Sequence, residues 1–204
     1  KIFRFPDPGI TIDFPLTRHE VPLYYGTLGP QTLAMASSMA DGIIFSVFCS
    51  PDFIRNAMGH VQTSAAKSGR LVEEMDIADY IIFSVDEDGD AARQAAKALV
   101  AHYVMRVADT FRYEAAGLDP ENVAKIRENL LETEHQNRLE DGIADIPDNV
   151  VDALTIAGSP EECVEGLKTY ADTGLKSPIL YQTLGPDRLK SIDLIADRIL
   201  PEIL

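Results

Sequence analysis

The sequence predicts an α/β fold of parallel strands and covering helices, of the (β/α) barrel kind. Two internal echoes and one rhythm carry that expectation. "ADGIIFSV" (40–47) returns almost unchanged as "ADYIIFSV" (78–85). "TLGPQTLAMASSMADGII" (27–44) aligns without a gap on "TLGPDRLKSIDLIADRIL" (183–200), matching at Thr, Leu, Gly, Pro, Leu33/Leu189, Ala40/Ala196, Asp41/Asp197 and Ile43/Ile199. Between the echoes, short apolar runs alternate with helix-prone stretches, as expected for strands buried on both faces and joined by helices. A βα unit recurring at about 40 residues fits a barrel better than a doubly wound sheet, whose halves seldom echo at matched turns.

The elements follow in order. "VPLYYG" (21–26) is apolar and aromatic enough for a first strand. "TLGP" ends it, and Pro30 suits the first turn of a helix, where a missing N–H costs nothing. "GIIFSVF" (42–48) is a second strand, continuously apolar. Ser50 as N-cap, Pro51 after it and Gly69 as terminator frame the next helix. "YIIFSV" (80–85) is a third strand, "DEDGD" a loop and "AARQAAKALVAHYVM" a helix. From about 106 to 152 the rhythm gives way to a charged, helix-prone insertion. It resumes with "SPEECVEGLKTYADTG", where Ser159 is the N-cap, Glu162 stands at the capping-box position and Gly174 is the stop. "PILYQTLG" (178–185) is a fourth strand and "PDRLKSIDLIADRILPEI" a final helix.

On this reading the echoes are one structural part used more than once. "TLGP…AD" is strand end, turn and covering helix, and "ADxIIFSV" is helix end followed by strand. Residues 1–204 then form a single domain of four βα units. Closing a barrel takes eight strands. Three arrangements stay open: half of a barrel, an open four-stranded sheet, or two chains completing each other. The start at Lys1, inside the Pro-punctuated loop "KIFRFPDPGITIDFPL", favours a fragment.

Composition narrows the partners. The chain has 204 residues, 46% hydrophobic and 25% charged, with a formal net charge of −15. That balance is ordinary for a globular protein and argues against nucleic acid, which needs a dense cationic face. Cys49 and Cys163 show neither CxxC nor metal-ligand spacing, so a reduced, cytoplasmic protein is expected. No apolar run approaches the roughly 20 residues of a membrane span. His19, His102 and His135 share no ligand spacing, and no metal site is expected.

In a barrel the working face lies at the C-terminal ends of the strands. Those ends read "GTLGPQT", "SVFCSP", "SVDEDGD" and "YQTLGP". Gly26, Thr27, Leu28, Gly29 and Pro30 bring backbone N–H groups to a helix N-terminus, a candidate seat for a phosphate. The competing reading is a tight turn and nothing more, and the identical "TLGP" at 183–186 supports it. Neither GxGxxG nor GxxxxGK(S/T) occurs. Ser46, Phe48, Cys49 and Ser50 stand at the second strand end, where a nucleophilic Cys49 would need a histidine or cationic neighbour. Asp86, Glu87, Asp88 and Asp90 read as helix-capping acids. An EF-hand fails because Gly89 is misplaced and Lys97 stands where a glutamate must close the loop. No acid–base pair, triad or metal cluster stands out, so no catalytic residue is assigned.

Three stretches resemble one family. "VPLYYGTLGPQTLAMASSMADGIIFS" resembles the strand-5 to strand-6 segment of luciferase-like flavin and deazaflavin oxidoreductases. "VDALTIAGSPEECVEGLKTYADTGLKSPIL" resembles that family's G-S/T-P-E-E-C helix and last strand, and "FRFPDPGITIDFP" the loop before strand 5. The resemblance spans residues 1–204, covers the family's C-terminal half and points to its coenzyme F-420-dependent, methylenetetrahydromethanopterin reductase-like branch. It implies a TIM barrel of which this chain supplies the last four βα units. It also implies hydride transfer between F-420 and a small substrate such as a methylene-tetrahydropterin or an alcohol. The turn at Gly26, Thr27, Leu28, Gly29, Pro30 and Gln31 would contact the cofactor's phosphate-bearing tail. Ser46, Phe48 and Cys49 would border the substrate. "VFCSPD" lacks the lysine of the family's sugar-phosphate dehydrogenases, which argues against a phosphosugar. The ring-binding and proton-handling residues belong to the family's other half. A homo-oligomer, dimer or higher, is expected. The alternatives are an FMN-dependent monooxygenase and a non-catalytic half-barrel module, whose sheet edges would have to be paired, covered or charged.

Overall fold

Parallel pairing runs through one five-stranded sheet in the computed structural model, which describes residues 20–203. The expected loop before the first strand, including "FRFPDPGITIDFP" and His19, lies outside the described residues. β1 (Tyr24–Gly26) leads to α1 (Pro30–Met39), β2 (Gly42–Ile44) to α2 (Pro51–Lys67), and β3 (Asp76–Val85) to α3 (Gly89–Val104). The short helices α4 (Phe111–Ala115), α6 (Leu139–Ala144) and α7 (Asp148–Leu154), with the longer α5 (Pro120–His135), fill the span before β4 (Ile156–Gly158). α8 (Pro160–Ala171), β5 (Ser177–Leu184), α9 (Arg188–Leu194) and α10 (Leu200–Ile203) complete the chain, with a π-helical turn between the last two helices.

β3 is the central strand. β2 lies beside its first residues, with Ile43 opposite Ile77 and Ile44 opposite Ala78. β4 lies beside its last, with Ser84 opposite Ala157. β5 takes the other edge, pairing Ala78 with Ser177 and Ser84 with Leu184. The chain therefore leaves the sheet after Val85 and re-enters it alongside, where the Asp86 N–H donates to the Gly158 carbonyl at 3.3 Å. Alternation along β3 divides the core in two. Ile77, Ile81, Phe83 and Val85 face Leu33, Ile54, Val61, Cys163 and Leu167 of the covering helices. Ile82 faces Val100, Val104, Tyr113, Leu130 and Val151 of α3 to α7. Burial on both faces is why this strand reads as an unbroken apolar run.

The four expected strands are present and parallel, and a fifth joins them. β4 was hidden in the "TIAGSP" lead-in because three residues are too few to show a period. β3 starts at Asp76, earlier than expected, and β2 stops at Ile44 instead of 48. The reason is a turn in which Phe48 takes a left-handed φ of 67°. The helices of the expected insertion, about 106 to 152, pack with α3 on the far face of β3.

The echoes are less equivalent than they look. Ile44 echoes Ile82 in sequence but sits beside Ala78. Ala40 caps α1, whereas Ala78 and Asp79 lie inside β3. Pro30 opens α1 directly, but Pro186 precedes an N-cap at Asp187, and Asp197 falls in the π-helical turn. What repeats is the turn chemistry, while sheet pairing sets the register. The caps at Ser50 and Ser159 form as the sequence predicts, the latter as a full capping box with Glu162.

Candidate functional site

Because the strands are parallel, their C-terminal ends share one rim. There Gly26, Thr27, Leu28, Ile44, Phe45, Ser46 and Tyr80 line a cleft of about 490 Å³. The space beside Gly26 is open, since a Cβ at that position would meet nothing within 4 Å. The Thr27 N–H is engaged by the Ile44 carbonyl at 3.2 Å, which ties the two strand ends together. α1 begins at the next turn with proline in its first turn, no side-chain cap and no acidic residue there. Among the described residues no N-cap side chain and no acid of its own first turn meets its leading N–H groups, a setting that favours an anion. Thr32 Oγ1 donates to the Gly29 carbonyl at 3.0 Å and touches Thr27 Oγ1, bracing the turn. Among the described residues that line the cleft there is no lysine or arginine, so a phosphate held by them would rest on peptide amides.

The expected residues fall into three groups. Gly26, Thr27, Leu28 and Ser46 line the cleft. Gly29, Pro30 and Gln31 follow as exposed backbone at the start of α1. Phe48 and Cys49 do not line it. They are only 3% and 1% exposed, packed behind the wall they were expected to form. Phe48 meets the rings of Tyr103 and Tyr113 at 5.9 and 6.0 Å. Burial, helped by the charge of Asp79, pushes the Cys49 thiol well above its ordinary range, so it stays protonated and inert.

Sequence reasoning missed Tyr80, which was read as one more apolar strand residue. No local signal singles it out: Tyr80 shares a face with Ile82, and helices pack on both faces of β3. Tyr80 and Tyr181 meet edge to face at 5.3 Å. The Tyr181 hydroxyl accepts from Tyr103 Oη at 3.1 Å and from Gln182 Nε2 at 2.7 Å. Burial, then the bond to Tyr181, pushes the Tyr103 pKa up to about 12, so this phenol remains a neutral donor. Gln182 and Leu184 both take a φ of 60°, so the rim is contorted at β5 as well as after β2.

The acids after β3 cap and pair. Asp88 accepts from the N–H groups of Asp90 and Ala91. Lys190 Nζ reaches both oxygens of Asp86 at 3.0 and 2.9 Å. The N–H of Asp88, then Lys190, holds the Asp86 carboxyl below the usual range. Among the described residues no group of three or more histidine, cysteine, aspartate or glutamate side chains is arranged to hold a metal.

A parallel sheet with a glycine turn, an uncapped helix start and a cleft on its C-terminal rim is what part of a (β/α) barrel presents at its working face. The chain belongs to the luciferase-like monooxygenase family, whose sequence pattern matches residues 2–177. It is 30% identical over 182 residues to the 5,10-methylenetetrahydromethanopterin reductase of Methanopyrus kandleri, a match over 89% of this chain and 50% of that protein. It is 31% identical over 181 residues to the enzyme of the same name from Methanolobus tindarius, over 89% and 54%. The coenzyme F-420-dependent tetrahydromethanopterin reductase from Methanopyrus kandleri superposes with a TM-score of 0.80 at 28% identity, over 90% of this chain and 51% of that one. An F-420-dependent secondary alcohol dehydrogenase, 20% identical with a TM-score of 0.66 over 98% and 55%, shares the fold. The chain spans about half the length of the curated relatives it matches. Its sheet is part of the luciferase-like TIM barrel.

Proposed function

We propose that the protein carrying this chain is an oxidoreductase that moves a hydride between coenzyme F-420 and a small organic substrate, such as a methylene-tetrahydropterin or an alcohol. The observation that carries this reading is the cleft at Gly26, Thr27 and Leu28 against the uncapped start of α1, in a chain about 30% identical to reductases of a methylene-tetrahydropterin. The residues present fit the phosphate-bearing tail, because the first turn of α1 has no side-chain cap and no acidic residue, and the space beside Gly26 is open. When bound, the deazaflavin supplies the carbon that carries the hydride.

The chain's own residues bind and orient. The amides at the start of α1 receive negative charge. Leu28 and Ile44 give the cleft an apolar wall that limits water. Tyr80 brings a ring and a hydroxyl to its floor. FMN is the weaker reading, since the FMN-bound neighbour is 15% identical and speaks for the fold alone. A sugar phosphate is disfavoured because residues 46–52 carry no cation. Free, buried Cys49 and Cys163 support a reducing, cytoplasmic setting. Assembly with like chains, as a dimer or higher, belongs to the same reading.

Titration of the native protein with F-420, followed by quenching of deazaflavin fluorescence, tests the assignment. Gly26→Ala adds a methyl group that touches no protein atom. It is expected to raise the dissociation constant roughly tenfold and leave the melting temperature unchanged. Equal affinities would remove the tail from this cleft. Tight FMN binding without F-420 binding would turn the reading to the monooxygenase, and binding of neither would favour a non-catalytic module.

A further inference from the structure

The wall formed by Phe45 and Ser46 continues into a loop, residues 45–50, that lies outside any regular element. Its backbone is contorted, with Phe48 at a φ of 67°, a conformation that bulky residues avoid unless their surroundings enforce it. The enforcing contacts come from one place. Arg112 Nη1 donates to the Val47 carbonyl at 2.8 Å. The other edge of the same guanidinium grips Asp109, with Nε to Oδ1 at 2.9 Å and Nη2 to Oδ2 at 2.7 Å. Ser50 Oγ donates to the Ala115 carbonyl at 2.9 Å. Phe48 lies against Tyr103 and Tyr113, and Phe53 meets Phe111 at 5.8 Å. Residues 103–115 thus hold the loop by its carbonyl, its cap and its ring.

We propose that Arg112 is the positioning residue for this wall of the cleft, setting where Phe45 and Ser46 stand and thereby how tightly the cofactor is held. The inference rests on the F-420 reading above. Arg112 is 6% exposed, and its planar fork does two jobs at once. A lysine has a point charge and no second edge, so it can satisfy Asp109 or Val47 but cannot fix both at this spacing. Burial opposes the charge on Arg112, and the bonds from Asp109 more than offset it.

The test compares Arg112→Lys and Arg112→Met with the native protein, using F-420 titration and hydrogen exchange resolved along the chain. The dissociation constant is expected to rise roughly tenfold in both variants, with the number of sites unchanged. A purely structural loss would lower the number of sites and leave the constant alone, which would overturn the proposal. Exchange of the amides of residues 45–50 is expected to rise about tenfold, while amides of residues 77–82 in β3 keep native protection. Unchanged exchange over 45–50 would also overturn it. If Arg112→Met loses protection in β3 as well, the milder lysine variant decides. Absence of F-420 binding by the native protein would sink the cofactor reading alone, and the exchange result would still decide whether Arg112 fixes the wall.

Discussion

Asp79 stands on the same face of β3 as Ile77 and Ile81, 1% exposed, and its Oδ1 has no hydrogen-bond partner among the described residues. Burial pushes its pKa from 3.8 up to about 8, with the N–H of Tyr80 and the charge of Arg112 offsetting only part of the effect. Between pH 4 and 8 the folded protein therefore keeps a proton that the unfolded chain has released. Stability is fully present below the lower value, falls as pH rises through this window and levels off above it. Asp79→Asn carries no such proton. Its stability relative to the native protein is expected to climb by roughly 1 kcal/mol per pH unit across the window, read by urea unfolding at a series of pH values. A difference that stays flat with pH would mean that the carboxylate is charged and paired in the fold. Nothing local in "ADYIIFSV" marks this aspartate, because which side of β3 is covered by helices depends on packing far along the chain. Phe48 and Cys49 turn into the core for a different reason: Phe48 takes a left-handed φ of 67°, which no strand pattern anticipates.

At the scale of elements, the parts held by neighbouring residues were the legible ones. Serine–proline starts, glycine stops and continuous apolar strands all have local causes. Ser159 shows one such cause at work: its Oγ accepts from the Glu162 N–H, and Glu162 Oε2 accepts from the Ser159 N–H at 2.7 Å. Glu162 also pairs with Arg93 at 2.6 Å, which ties α8 to α3. Ser159→Ala is expected to cost about 1 kcal/mol of unfolding free energy. Glu162→Ala should cost more, because it breaks the box and the interhelical pair together. Denaturant midpoints at constant slope check both, and equal losses would show that the link to Arg93 contributes nothing. β4 and the end of β2 escaped the sequence because each is settled by a partner distant in the chain, β3 for the one and Arg112 for the other.

For the molecule as a whole, the class of fold was legible from rhythm and the candidate site only in part. The glycine turn showed itself, while Tyr80 and the hold of Arg112 on Val47 needed three-dimensional register. The net charge of −15 adds a property no single element has. Like charges spread over one surface repel, and ions screen that repulsion over a Debye length of about 10 Å at 0.1 M salt. Raising sodium chloride from about 0.05 to about 0.5 M is expected to lift the melting temperature by a few degrees. A fall would mean that ion pairs such as Arg198 with Glu161 contribute more than the repulsion costs.

One joint in the sheet reaches beyond stability. Residues 86–155 set out from the end of β3 and lead into β4, which pairs with that same strand and whose Gly158 carbonyl accepts from the Asp86 N–H. A canopy stitched on at one seam can be recut, lengthened or traded for another while the staves beneath keep their pairing. Because this canopy also carries Arg112, each recutting would shift the far lip of the mouth. A lineage built this way can change what it admits without rebuilding the vessel.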